Sequence, residues 1–385
     1  MKLKKTIDLL TKGEIILKNQ ILKGNSLEIL KTLPNESVDL IFADPPYFMR
    51  TQGVLKRPEG SEFNGCDDEW DSFKDNESYA KFTHLWLEEC KRVLKNNGSI
   101  WVIGGMQCIY TIGGIMQDLG FWFINDVIWQ KSNPTPNFMG TRLNNSHETL
   151  IWACKDKKSK FTFNYKTAKE LNCDNIELNL FQKGKRKQLG SIWKFPVCSG
   201  NERLKDENGD KLHSTQKPEA LLYRVIAISS KIGDLVLDPF GGTMTTAVMA
   251  KKLGRNYIMI EQNEKYINFG LKRLENIEFQ NSDIAMAKFD EKPLKAKMSD
   301  MIKAKFFKIG EKFYLKNSDK FAILQDDGRL EFNGEIYDMH TLAAKFKNAK
   351  SPRLNGFKFW EVLREDKPIL IDKIRENHRS YIQNI

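Results

Sequence analysis

At 385 residues the chain has room for a catalytic core and an additional module. A hydrophobic content of 41% with 24 Phe and 8 Trp argues against wholesale disorder, and six scattered cysteines without paired spacing argue against a zinc site or a disulfide framework. The formal net charge of +11 points to a polyanionic partner, because phosphates attract Lys and Arg and release counterions, although a lysine-biased proteome gives the same balance.

In chain order, the basic N-terminus "MKLKKTIDLLTKGEIILKNQ" lacks the apolar run of a signal peptide, and no run of 18 apolar residues follows. A cytoplasmic protein without a membrane segment is expected. "VDLIFA" (38–43) reads as a buried strand, then "NESYAKFTHLWLEECKRVLKNNG" as a helix stopped by Asn97 and Gly98, then "SIWVIG" (99–104) as a second strand. "FWFINDVIWQK" (121–131) and "ETLIWACKD" (148–156) read as strands joined by the loop "SNPTPNFMGTRLNNSH". Residues 157–212 turn polar, carry the basic run "QKGKRKQ", and are expected to form a variable insertion. A helix is predicted from Pro218, whose missing N–H costs nothing at a first helical position. "DLVLD" (234–238), a helix over Thr245–Leu253 and "NYIMIE" (256–261) follow as a βαβ unit. The alternation predicts an α/β fold to about residue 280. Residues 281–298 read as a linker, and from Ser299 short strand-like pieces predict a small α+β domain over 299–385.

Two stretches carry chemistry. In "LIFADPPYFMR" a strand ends on Asp44, and two prolines then remove backbone donors, which leaves an acceptor-only surface suited to a substrate amino group. Tyr47 adds a flat face for a planar heterocycle. By local properties alone a strand-ending turn is the alternative reading. In "LVLDPFGGTMTTAVMAKKLGRNYIMIEQNEKY" a strand ends at Asp238, a glycine turn leads into a helix, and Glu261 closes the next strand 19 residues after Gly242, near the spacing at which a carboxylate grips ribose hydroxyls. Neither G-x-x-x-x-G-K-[ST] nor the full G-x-G-x-x-G is present. An adenosine ligand without phosphate fits better, and S-adenosylmethionine is the obvious one. His147 and His213 have neither a metal set nor a triad around them in sequence, and no metal is expected.

Together these residues resemble the amino-group DNA methyltransferases. The tetrad at 44–47 precedes the cofactor motif at 238–246, the order of their β class, and "HSTQKPEALLYRVI" (213–226) is similar to the family's cofactor-pocket segment. "IWQKSNPTPNFMGTRLNNSHETLIWA" (128–153) and the tail "NGFKFWEVL" resemble the HinfI-type and cell-cycle-regulated subgroup, which modifies adenine in GANTC. The resemblance implies a Rossmann-like, S-adenosylmethionine-dependent fold with a circularly permuted motif order and methyl transfer to adenine N6 of flipped-out double-stranded DNA. It assigns catalysis to Asp44, Pro45, Pro46 and Tyr47. Asp44, Asn25, Thr215, Gln216, Lys217, Asp238, Phe240, Gly242, Thr243, Thr245, Glu261 and Gln262 would form the cofactor site. Asn137, Arg142, Lys183, Lys185, Arg186 and Lys187 are candidates for DNA contact, with 132–212 as a recognition insertion and 299–385 as a DNA-binding accessory domain; a charge run is as often a solvated face. A homodimer and a cognate restriction endonuclease are further implications. The sequence departs from the family at Met244, where glycine is common, at Asn25-Ser26 for Asp-Cys, and at Ser214 for Pro. Cytosine-N4 methylation and a catalytically silent cofactor sensor are the rival readings, and Asp44, where cytosine enzymes usually carry Ser, favours adenine.

Overall fold

The structure, a computed structural model, describes residues 18–48, 54–56, 62–64, 71–137, 140–172 and 187–383. Lys183, Lys185 and Arg186 therefore lie outside the described residues. The chain divides into two compact units, Met1–Asp290 and Glu291–Ile385.

The first unit is built on an eight-stranded sheet. Its strands are β1 (Gln20–Lys23), β2 (Val38–Ala43), β5 (Leu94–Gly104), β6 (Trp122–Lys131), β7 (His147–Cys154), β8 (Ile192–Phe195), β9 (Leu235–Asp238) and β10 (Asn256–Glu261), with a separate hairpin of β3 (Val54–Lys56) and β4 (Glu62–Asn64). The order across the sheet is β1-β10-β9-β2-β5-β7-β6-β8. Neighbours pair in parallel except around β7, which runs antiparallel to both β5 and β6. The central strands read as unbroken apolar runs because both faces are covered. Leu40, Phe42, Trp101 and Ile103 enter one core, and Ile41, Ala43, Ile100 and Val102 enter the other.

The helix Asn76–Val93 starts with a capping box between Asp75 and Ser78 and buries Tyr79, Trp86, Leu87, Cys90 and Val93. It ends at Val93, four residues before the expected stop, because Leu94 already begins β5. Gly98 serves a different purpose: a Cβ there would lie 2.7 Å from the Asp39 carbonyl, so glycine permits β5 to pack on β2. Pro218 is the cap of the helix Glu219–Ser229, which therefore starts one residue later than predicted.

Residues 157–212 are more than an insertion. The four residues of β8 extend the main sheet beside β6, and Trp193 and Phe195 are buried in its core. The Asn164 amide, also buried, donates to the carbonyls of Ala227 (2.7 Å) and Ser230 (2.8 Å), which ties the short helix Tyr165–Glu170 to the body. The expected linker likewise differs. Ile284 and Ala285 are buried in the first core, and the Asp290 carboxylate accepts from the backbone of Lys166 (2.7 Å) and Thr167 (2.9 Å). A charged, weakly periodic stretch hides such pinned segments because each contributes only one or two apolar residues.

The second unit carries an antiparallel sheet of β11 (Lys312–Leu315), β12 (Phe321–Leu324), β13 (Leu330–Phe332), β14 (Glu335–Tyr337), β15 (Trp360–Arg364) and β16 (Lys367–Leu370), in the order β14-β13-β12-β11-β15-β16. Asn333 and Gly334, both at positive φ, form the tight turn between β13 and β14. Phe313, Leu324, Leu342 and Trp360 form its core. Among the described residues no helix is long and apolar enough to cross a membrane.

Candidate active site

The carboxyl ends of β1, β10, β9 and β2 converge on a cavity of about 310 Å³, where open α/β sheets place ligands. Around it stand all the expected cofactor residues, Asn25, Asp44, Thr215, Gln216, Lys217, Asp238, Phe240, Gly242, Thr243, Thr245, Glu261 and Gln262, together with Pro45 and Pro46 of the tetrad. Asp238 accepts from the Phe240 backbone N–H (2.9 Å) and the Thr246 hydroxyl (2.6 Å), yet burial pushes its carboxyl up to about 7. Glu261 accepts from the backbone N–H groups of Gly242 (2.8 Å) and Asn263 (2.7 Å), and burial raises it as well. The Asn25 side-chain oxygen caps the helix Ser26–Thr32, which leaves its amide group for the cavity. Gln216 uses its side chain to brace Leu204 and Glu202 (2.9 Å each). Met244 has φ +63 and is fully buried. Its side chain packs on Gly270, where a Cβ would come within 2.2 Å, and it does not line the cavity.

On the other side of Lys217 lies a larger cavity of about 1490 Å³, lined by Tyr47, Lys131, Arg142, Glu148 and Arg203 among others. Thr215, Gln216 and Lys217 line both cavities. The Lys217 ammonium pairs with Asp44 at 2.7 Å and lies 3.9 Å from Glu148, while Lys131 pairs with Glu148 at 2.8 Å. Tyr47 donates its hydroxyl to Glu148 (2.9 Å), and Lys217 stands 5.0 Å from the centre of its ring. Tyr79 donates to the Pro46 carbonyl (2.9 Å), which holds the tetrad from below. One Asp44 oxygen, Oδ1, is buried without a hydrogen-bond partner.

The charges of this cluster follow from its geometry. Burial pushes the Asp44 carboxyl up, and Lys217 only partly offsets this. Burial also acts on Glu148, but Lys217 and Lys131 outweigh it and hold that carboxyl below its usual range. Lys217 is pulled down by burial and raised further by Asp44 and Glu148, so it stays charged. Glu148 and Lys131 lie within the stretch 128–153, and no motif marks either for a site role. The available signal was a carboxylate inside the apolar run "HETLIWA", since a buried strand tolerates such a group only with a partner.

Of the DNA-contact candidates, Asn137, Arg142 and Lys187 lie within the described residues. Asn137 spends its amide on the Arg142 carbonyl (2.7 Å), and the Arg142 guanidinium reaches Asn145 (3.1 Å) at the second cavity. Lys187 is exposed and lines neither cavity. Among the described residues no group of three or more His, Cys, Asp or Glu could hold a metal ion.

The family model of DNA methylases matches residues 38–272, from the start of β2 past Glu261. The chain belongs to the DNA methylase family. It is 51% identical over 362 residues to the Type II methyltransferase M.HinfI of Haemophilus influenzae, covering 94% of this chain and 97% of that protein. It is 37% identical over 257 residues to the Type II methyltransferase M2.DpnII of Streptococcus pneumoniae, covering 66% of this chain and 89% of that protein. The solved PvuII DNA methyltransferase, cytosine-N4-specific, aligns at a TM-score of 0.50 and 18% identity over 71% of this chain and 92% of its own, a likeness of fold alone. The fold is thus the Rossmann-like methyltransferase sheet with the tetrad strand ahead of the cofactor strands, and the protein is an adenine-specific DNA methyltransferase that uses S-adenosylmethionine. The silent-sensor and cytosine-N4 readings are not favoured.

Proposed function

We propose that the protein methylates N6 of adenine within GANTC, with Asp44 and Tyr47 receiving the extruded base at the wall between the two cavities. The observation that carries this is Asp44 itself, clamped by Lys217 through Oδ2 while Oδ1 remains a buried, unpartnered acceptor. The adenine amino lone pair is delocalised into the ring and makes a poor nucleophile. Hydrogen bonds from its N–H groups to Asp44 Oδ1 and the Pro45 carbonyl favour rehybridisation and aim the lone pair across the shared wall. Tyr47, its hydroxyl fixed on Glu148, offers the ring for stacking, worth about 1–3 kcal/mol toward the cost of extrusion.

S-adenosylmethionine, when bound, supplies the electrophilic methyl group. The residues around the smaller cavity suit it: Glu261 for ribose hydroxyls, the Asn25 amide for an adenine edge, Phe240 for a ring face, and the turn Asp238–Gly242 with Thr243, Thr245, Thr215 and Gln262 for the methionine part. Arg142, and Lys183, Lys185, Arg186 and Lys187 beyond it, would contact phosphates, joined by the unit from Glu291 onward. A homodimer, a cognate restriction endonuclease and a cytoplasmic, nucleoid-associated location belong to the same reading.

The test is sequencing of methylated bases in DNA from cells expressing the protein or its Asp44→Ala variant. N6-methyladenine confined to GANTC is expected, and none from the variant, which should still bind S-adenosylmethionine. Methylation at unrelated sites overturns the target, and full activity of the variant removes Asp44 from the mechanism.

A further inference from the structure

Leu143 and Tyr110 are the two most exposed large apolar side chains among the described residues, 91% and 79% accessible, and both line the larger cavity together with Met106, which is 55% accessible. Single exposed apolar residues are ordinary. Three around one cavity that also carries six cationic side chains are not, and the backbone that presents Leu143 is held in place. The Arg142 carbonyl accepts from the Asn137 amide (2.7 Å), Arg142 reaches Asn145 (3.1 Å), and the Ser146 N–H bonds to the Asn144 carbonyl (3.0 Å). The loop springs from the ends of β6 and β7, where the Lys131 N–H bonds to the Ser146 carbonyl (2.8 Å) and Glu148 holds the Tyr47 hydroxyl. A hydrogen-bonded segment that keeps a leucine in solvent calls for an occupant.

The cavity wall names its class. Arg142, Arg203, Lys205, Lys211, Lys131 and Lys217 face the single carboxylate of Glu148, so a polyanion is drawn to the rim while apolar side chains stand at its mouth. Duplex DNA matches both features. Removing a base from the stack costs a few kcal/mol and leaves a gap, and architectural DNA-binding proteins fill such gaps with apolar wedges.

We propose that Leu143 is a wedge that enters the base stack beside the target adenine and stabilises its extruded state, with Tyr110 covering a neighbouring base. This rests on the reading that the adenine enters beside Tyr47, and the test separates the two. Single-turnover methylation is compared on two duplexes that differ only opposite the target adenine, one carrying thymine and the other an abasic site that makes extrusion easy. Leu143→Ala should lose about tenfold or more on the paired duplex and less than about threefold on the weakened one, because the wedge acts on the extrusion step. The fluorescence rise of 2-aminopurine placed at the target should shrink in the same variant, and Leu143→Phe should retain most of the rate. Equal losses on both duplexes, or no loss on the paired one, overturn the proposal. Retained methylation of the weakened duplex shows that the base pocket works regardless of the wedge.

Discussion

Asp238 is 3% exposed, and burial lifts its carboxyl from 3.8 to about 7. The sign of the resulting pH dependence can be worked out directly. As pH rises from about 4 to about 7, the unfolded chain releases this proton while the folded chain keeps it, so folding stability falls across that window and the full loss is present above it. Three pKa units correspond to about 4 kcal/mol, of which roughly 3 kcal/mol accrue between pH 5 and pH 8. Asp238→Asn has the same shape and cannot ionise. Its side-chain oxygen can still accept from the Phe240 N–H, and the Thr246 hydroxyl can turn to accept from the new amide.

The stability of the variant relative to wild type should therefore rise by about 3 kcal/mol from pH 5 to pH 8, which for a unit of this size is roughly 5–10 °C in Tm. Calorimetry of both proteins at pH 5, 6, 7 and 8 measures it, with the first-unit transition identified in wild type by its upward shift on adding S-adenosylmethionine. The same titration should show cofactor binding weakened about tenfold or more in the variant, since an ionisable carboxyl buried at such a cost implies a ligand that needs it. A Tm difference independent of pH, or one that narrows as pH rises, would refute the linkage.

Three further substitutions test the surroundings of the site. Met244→Gly relieves a positive φ worth about 1–2 kcal/mol but empties a fully buried side chain worth about 2–5 kcal/mol, so urea unfolding should show a net loss of about 1–3 kcal/mol. Gly270→Ala, which alone meets Met244 at 2.2 Å, should recover part of that loss in the double variant. Glu148→Gln removes both the anion that anchors Tyr47 and a like charge that raises Asp44. It should slow methylation about 10- to 100-fold with cofactor affinity unchanged, and it should move the acidic limb of the rate profile to lower pH, because Asp44 then ionises more readily.

What could be read in the sequence were features that local chemistry decides. β2, β9 and β10 announce themselves as apolar runs that stop on Asp44, Asp238 and Glu261, because a parallel strand buried on both faces tolerates charge only at its end. Features set by pairing across the chain were not legible. β8 has four residues, and only its register with Ile128–Lys131 shows that "IWKF" is sheet rather than insertion. Gly98 looked like a helix stop because nothing local reveals the Asp39 carbonyl against it. Lys217 reads as part of a cofactor segment, and its bond to Asp44 spans 173 residues. Glu148 becomes a site residue only through the packing that brings Tyr47, Lys131 and Lys217 to it.

The carboxylates around the smaller cavity also decide which guest it favours. Asp44, Asp238 and Glu261 are all raised by burial, and among the described residues only Asp44 of these has a cation beside it. A small cavity with that charge pattern favours a positively charged guest, whose arrival stabilises the ionised forms of all three. Ionised Asp44 is the form able to accept from an amino group through Oδ1 while Lys217 holds Oδ2. Filling the smaller cavity thus favours ionised Asp44, which lines that cavity, and Lys217, which lines both, holds the carboxylate where they meet.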